Sequence, residues 1–76
     1  MDIRTYLAKH GLSQEQFSEK MNVSQGLIWQ WIQWQENPKK GTRITAERAV
    51  EIEKITDGEI NRHDLRPDLY HAERAA

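Results

Sequence analysis

The stretch Ser13 to Gln35, S-Q-E-Q-F-S-E-K-M-N-V-S-Q-G-L-I-W-Q-W-I-Q-W-Q, holds two short helical patterns joined by a tight turn, and this pairing constrains the chain more than any other feature. Ser13 followed by Gln16 has the spacing of a capping box, in which each side chain satisfies a backbone N–H at a helix start. A helix therefore begins at Gln14. Phe17 and Met21, four apart, supply its apolar stripe, and Asn22 stands where the chain reverses, because Asn tolerates the left-handed conformation. Val23 plugs the turn. Ser24 caps a second helix, which runs without Gly or Pro from Leu27 until Asn37-Pro38 stops it.

The rest of the chain supports an all-α reading. Ile3, Tyr6, Leu7 and His10 recur at helical spacing and Gly11 ends the run, giving a helix over residues 2–10 before those at 14–21 and 24–35. Residues 37–43, N-P-K-K-G-T-R, form a turn-rich basic loop with no periodic pattern. Thr45 caps a further helix with Ala46, Ala49, Ile52 and Ile55 on one stripe and Glu47, Glu51 and Lys54 on the wet side, ended by Asp57-Gly58. Asn61 caps a last turn through Leu65, closed by Pro67. No long β alternation appears, although Gly58-Glu59-Ile60 has room for a brief pairing. The expected fold is a small bundle of four to five helices, with a helix-turn-helix domain over residues 1–68 and a C-terminal tail over 69–76 that serves dimerisation.

Size and composition narrow the function. At 76 residues the chain is one domain near the lower limit for an unaided core, with no room for a deep catalytic cleft. It has no cysteine, which excludes disulfides and thiolate metal sites. His10, His63 and His71 lack metal-ligand spacing, and no Ser/His/Asp set or phosphate-cradling loop is visible, so neither enzyme activity nor a metal or cofactor is expected. Met1-Asp2-Ile3-Arg4 is not followed by an apolar run fit for a signal peptide, which makes a cytoplasmic protein with no membrane association the expectation. The net charge of −1 is divided unevenly: residues 1–43 hold six Lys and Arg against four Asp and Glu, and residues 44–76 hold five against eight. The basic half contains the two-helix motif.

On the second helix of that motif, Leu27, Ile28, Trp31, Ile32 and Trp34 share one broad face and Gln25, Gly26, Trp29, Gln30 and Gln33 share the other. The first face is core. The second is unusual for a surface helix, which normally carries Lys and Glu there. Glutamine donates and accepts together and so bridges N6 and N7 of adenine in the major groove, a bidentate contact that discriminates by about 1–3 kcal/mol. Gly26 removes bulk where backbone approaches DNA. These five are the candidate base contacts. Ser13, Gln14 and Ser24 at the helix starts, with Lys39, Lys40 and Arg43 in the loop, are the candidate phosphate contacts.

Gln14 through Trp31 resembles the helix-turn-helix of Cro-like and CI-like phage repressors. Gln14 and Gln25 stand where those proteins often pair two glutamines, one reaching phosphate and one reading adenine. The run Val23-Ser24-Gln25-Gly26-Leu27-Ile28-Trp29-Gln30-Trp31 is similar to the G-V-S-x-x-x-V-S-x-W run of the Cro/YdaS-type subgroup, whose terminal Trp is structural. Ile44-Thr45-Ala46-Glu47-Arg48-Ala49, Glu51-Ile52-Glu53 and Arg62-His63-Asp64-Leu65-Arg66-Pro67-Asp68 are similar to the same subgroup's C-terminal half, so the resemblance spans residues 3–68. Ser18 replaces a usual Ala, Asn22 a usual Gly and Trp29 a small polar residue, and the 35–43 loop is longer than common. The resemblance implies a lambda repressor-like fold and a sequence-specific transcriptional repressor of the Cro type, of prophage origin, that binds double-stranded DNA.

A domain this small contacts few base pairs alone, so a homodimer, weak without DNA, is expected on a pseudo-palindromic operator. Leu65, Leu69 and Tyr70 are the candidate dimer contacts, with the opposed charges of Arg66 and Asp68 fixing register. Two other roles fit the same residues. One, implied by the resemblance to the YdaS-type subgroup, is a DNA-binding antitoxin, which also buries a surface against a toxin partner; the other is a protein-interaction module using the exposed Trp29 face.

Overall fold

A computed structural model describes residues 1–70 as five helices: α1 (Ile3–His10), α2 (Gln14–Met21), α3 (Gln25–Glu36), α4 (Ala46–Ile55) and α5 (Arg62–Leu65). The fold is all-α, with no strand among the described residues. Of the expected 69–76 tail, residues 71–76 lie outside the described residues.

Each helix begins where a capping side chain stands. Asp2, Ser13, Ser24, Thr45 and Asn61 are N-caps in extended conformation, and each accepts from the backbone N–H three residues on. Such a cap contributes about 1 kcal/mol. Asp2 therefore lies outside α1, because its carboxylate accepts from Thr5 N–H at 2.8 Å. Ser13 and Gln16 form both halves of the expected capping box.

The core comprises Ile3, Tyr6, Leu7, Phe17, Met21, Ile28, Trp31, Ile32, Ile44, Ala49, Ile52, Ile60 and Leu65. His10 is not in it: its imidazole lies against Tyr6, with ring centroids 4.5 Å apart, and meets the Glu59 carboxylate at 3.0 Å. The segment after α4 is a turn rather than a pairing strand. Thr56 is buried, and its hydroxyl donates to the Ile52 carbonyl at 2.8 Å and accepts from Ile60 N–H at 3.2 Å. That hub swings Ile60 into the core and leaves Gly58 and Glu59 no extended run to pair.

The C-terminal segment also differs from expectation. Leu65 is 1% exposed inside the chain's own core, so it supplies no contact to a second copy. Arg66 and Asp68 do not wait for a partner's charges either. The buried Arg66 guanidinium donates to both Asp68 oxygens, at 2.9 and 2.7 Å, and to the Ile44 carbonyl at 2.9 Å. This pins the end of the chain to the residue that precedes α4. Tyr70 folds back on α5, its ring 5.4 Å from the Arg62 guanidinium and its carbonyl meeting His63 Nδ1 at 2.7 Å. Arg62 in turn is held by Glu53, whose carboxylate accepts from its backbone N–H, Nε and Nη2. Of the three candidate dimer contacts only Leu69 stays exposed.

The loop between α3 and α4 is built rather than loose. Asn37 Oδ1 accepts from Lys39 N–H at 3.0 Å and its carbonyl from Lys40 N–H at 2.9 Å, which turns the chain back toward α3. Thr42 N–H then donates to the Gln30 carbonyl at 3.2 Å. Gly41 makes this approach possible. Its φ is +69°, and a Cβ there would overlap the Gln30 carbonyl oxygen and stand 2.8 Å from the Trp34 amide nitrogen.

Three outcomes follow from this packing. Trp31→Ala destabilises the fold by about 3–5 kcal/mol in denaturant titration, whereas Trp29→Ala leaves the midpoint nearly unchanged. Gly41→Ala costs on the order of 1–3 kcal/mol through its left-handed backbone and the overlap with α3, and trypsin then cuts faster at Lys39, Lys40 and Arg43. Arg66 holds the Asp68 carboxyl down from 3.8 to about 2, so the folded state binds that proton less tightly than the unfolded chain. The pair's stabilisation is complete above the unfolded value and is lost as pH falls toward about 2. Asp68→Asn lowers the melting temperature at neutral pH and shows a shallower acid decline than the wild type across that window.

Candidate nucleic-acid interface

The two-helix unit is closed by local chemistry. Asn22 ends α2 in the left-handed conformation, with φ of 58°, and Val23 N–H reaches back to the Ser18 carbonyl at 3.0 Å. These bonds satisfy carbonyls that the helix end would otherwise leave open. Ser18 is buried, and its hydroxyl donates to the Glu15 carbonyl at 2.6 Å, so the hydroxyl is satisfied within α2 itself. Val23 is half-buried and packs against the core from the turn.

α3 presents two different faces. Ile28, Trp31 and Ile32 are buried, with Leu27 and Trp34 packed at their margin. On the opposite side Gln25, Gly26 and Trp29 are exposed, Trp29 to 41%. Gln30 and Gln33 are half-buried, because the Gly41 backbone lies across them: a Cβ at Gly41 would come within 3.1 Å of Gln33 Cβ. The loop thus covers the C-terminal part of the face and leaves its first turn and a half open. Spacing alone had placed all five residues on one face, and nothing in the periodicity signalled the loop's return.

The candidate phosphate contacts are dispersed around this unit. Ser13 and Ser24 accept backbone N–H groups at 3.0 and 3.2 Å, so each hydroxyl keeps its hydrogen for another acceptor. Gln14 is the first residue of α2 and half-buried. The first N–H groups of α2 and α3 have no intrahelical carbonyl to meet. Lys39, Lys40 and Arg43 are exposed and make no ion pair among the described residues. Arg43 lies within electrostatic reach of Asp68, whose carboxyl it helps to keep ionised. Lys20, in the last turn of α2, is a further exposed cation with no ion pair among the described residues, and the apolar pattern did not single it out. Its signal was its place in the last turn, where a cation also meets the helix dipole. Glu15 and Glu19 are exposed on α2, so the cationic part of this half is the loop rather than α2.

Other chemistries find less here. Among the described residues no group of three or more His, Cys, Asp or Glu side chains is placed to hold a metal ion, and no helix is long and apolar enough to cross a membrane. A half-open groove lined by Asp2, Trp34, Gln35, Pro38, Asp64, Leu65, Pro67 and Asp68 lies away from the exposed α3 face. All three of its carboxylates are engaged, Asp2 as the cap of α1, Asp64 by the Met1 amino group and Asp68 by Arg66.

Comparison with curated proteins and with solved structures finds no match. A family model does match, over residues 3–74, and so takes in every helix, the α3–α4 loop and the Arg66–Asp68 clamp. The match carries the YdaS part of the resemblance. The chain belongs to the family described as bacterial toxin YdaS.

Proposed function

We propose that this chain is a sequence-specific double-stranded DNA-binding regulator that works as a homodimer, with the first turns of α3 in the major groove. The observation that carries this reading is the composition of the open α3 face: Gln25, Gly26 and Trp29, all exposed and none charged, on a helix whose other side is core. A solvated face that served only solubility would carry Lys and Glu. Uncharged hydrogen-bonding groups fit base edges, and the flanking Lys39, Lys40 and Arg43 fit the phosphates on either side. Exposed Leu69 is the apolar contact left for a second copy. The protein acts without a catalytic residue or cofactor in this reading, as a repressor of the Cro type or as the DNA-binding member of a toxin–antitoxin pair.

The family's description favours one second reading, that production of this chain arrests bacterial growth. The two readings are compatible if arrest comes from binding DNA. They part if arrest comes from a protein target met through the Trp29 face.

Selection from a pool of random duplexes, followed by binding measurements on the enriched sequence, tests the proposal. Gln25→Ala is expected to lower affinity for the enriched duplex by about 1–3 kcal/mol and to leave binding to random DNA nearly unchanged, as base readout requires. Lys40→Ala and Arg43→Ala weaken binding to every sequence and each reduce the slope of log K against log salt by roughly one or less. A pool that enriches nothing sinks the proposal. If growth arrest by the wild type persists undiminished in Gln25→Ala, the protein-target reading replaces it.

A further inference from the structure

The geometry points to one chemical group as the target of Trp29: the C5-methyl of a thymine in the major groove, read beside the adenine taken by Gln25. The inference rests on the DNA reading proposed above and names the feature of DNA that the open face selects.

Trp29 and Leu69 are the two large hydrophobic side chains left exposed among the described residues. Trp29 belongs neither to the core nor to the apolar side chains packed around it. The fold therefore gains little from an indole at this position, while a large apolar group exposed to water gains strongly from a partner. A helical side chain lies over the turn N-terminal to its own Cα, which for Trp29 is the turn of Gln25 and Gly26.

Gly26 is the second unexplained residue. It sits within α3 at an ordinary helical conformation, where glycine weakens a helix relative to alanine. No heavy atom lies within 4 Å of the place a Cβ would occupy, so nothing in the domain requires its smallness. The absent side chain leaves the helix backbone open to an approaching base edge in the first turn, on the face that Gln25 and Trp29 share. Gln25 offers a donor and an acceptor and Trp29 an apolar surface, which is the pattern of adenine N7 and N6 followed by a thymine methyl along the major-groove edge of A·T pairs. A guanine or cytosine edge offers no methyl for the indole to cover.

Charge selects DNA over a protein helix as the occupant. The loop that carries Lys39 and Lys40 is fixed to α3 through Thr42 N–H and the Gln30 carbonyl, and both lysines make no ion pair among the described residues. An uncharged open face on a helix whose other end carries a loop with two exposed lysines suits a polyanion whose base edges are neutral.

Thymine-to-deoxyuridine replacement tests this on the intact chain, because it deletes the methyl and leaves the protein unaltered. In the duplex enriched from the random pool, each thymine is replaced in turn. One position per half-site is expected to lose affinity by roughly three- to tenfold with the wild type, the scale of one buried methyl. Trp29→Ala binds the thymine duplex more weakly by a similar factor and no longer distinguishes it from the deoxyuridine duplex. Gly26→Leu, which fills that open space without breaking the helix, does the same, and Trp29→Phe keeps part of the discrimination. Equal affinity for every deoxyuridine duplex, or an undiminished thymine preference in Trp29→Ala, overturns the inference while leaving DNA binding in place. Failure of the pool to enrich any duplex removes the DNA reading and this inference with it.

Discussion

Burial of Trp31 together with Ile28 and Ile32 fixes the rotational phase of α3, and every statement about the outward face of that helix depends on it. A helix has 3.6 residues per turn, so seating these three side chains leaves Gln25, Gly26 and Trp29 no choice but the opposite side. Trp31 is 1% exposed and Trp29 41%, although two residues apart. The large apolar area of Trp31 makes a slipped phase costly, since slippage would drive Trp29 or Gln30 into the core in its place.

The second constraint is the loop from residue 37 to 43. It returns to α3 only because Gly41 brings backbone against backbone, and its far end is held where Arg66 donates to the Ile44 carbonyl. Asp68 and the Ile44 carbonyl together satisfy a guanidinium that would otherwise be buried with its charge uncompensated. The loop's position sets how much of α3 stays open, and it carries the lysines that flank the open part. Stability and the proposed recognition surface are therefore coupled through elements far apart in sequence, which the match over residues 3–74 takes in together.

Much of this was legible in the residues. The caps at Ser13, Ser24, Thr45 and Asn61, the left-handed Asn22 and the core role of Trp31 follow from local chemistry, and local chemistry is what a sequence displays directly. What was not legible depends on distant contacts. Ile44, Ile60 and Leu65 stand among polar neighbours without periodicity, and only the Thr56 hub and the Arg66 clamp carry them inward. For that reason Leu65 read as a spare apolar side chain for a dimer and proved to be core. The Arg66–Asp68 pair read as an intermolecular lock because two opposite charges near a chain end do not reveal which partner they hold. Gln30 and Gln33 shared the right helical face, but the return of a glycine-bearing loop over them is a tertiary event.

The central claim is that the first turns of α3 and the 39–43 loop form one surface for duplex DNA. Nuclear magnetic resonance of the labelled chain, titrated with its selected duplex, tests that most directly. The account predicts that the amides of Gln25, Gly26 and Trp29, the Trp29 indole N–H and the amides of Lys39 to Arg43 shift together, while the buried Trp31 indole and the wet side of α4 stay nearly still. Shifts confined to α4 and α5, with α3 unmoved at saturating duplex, would contradict it.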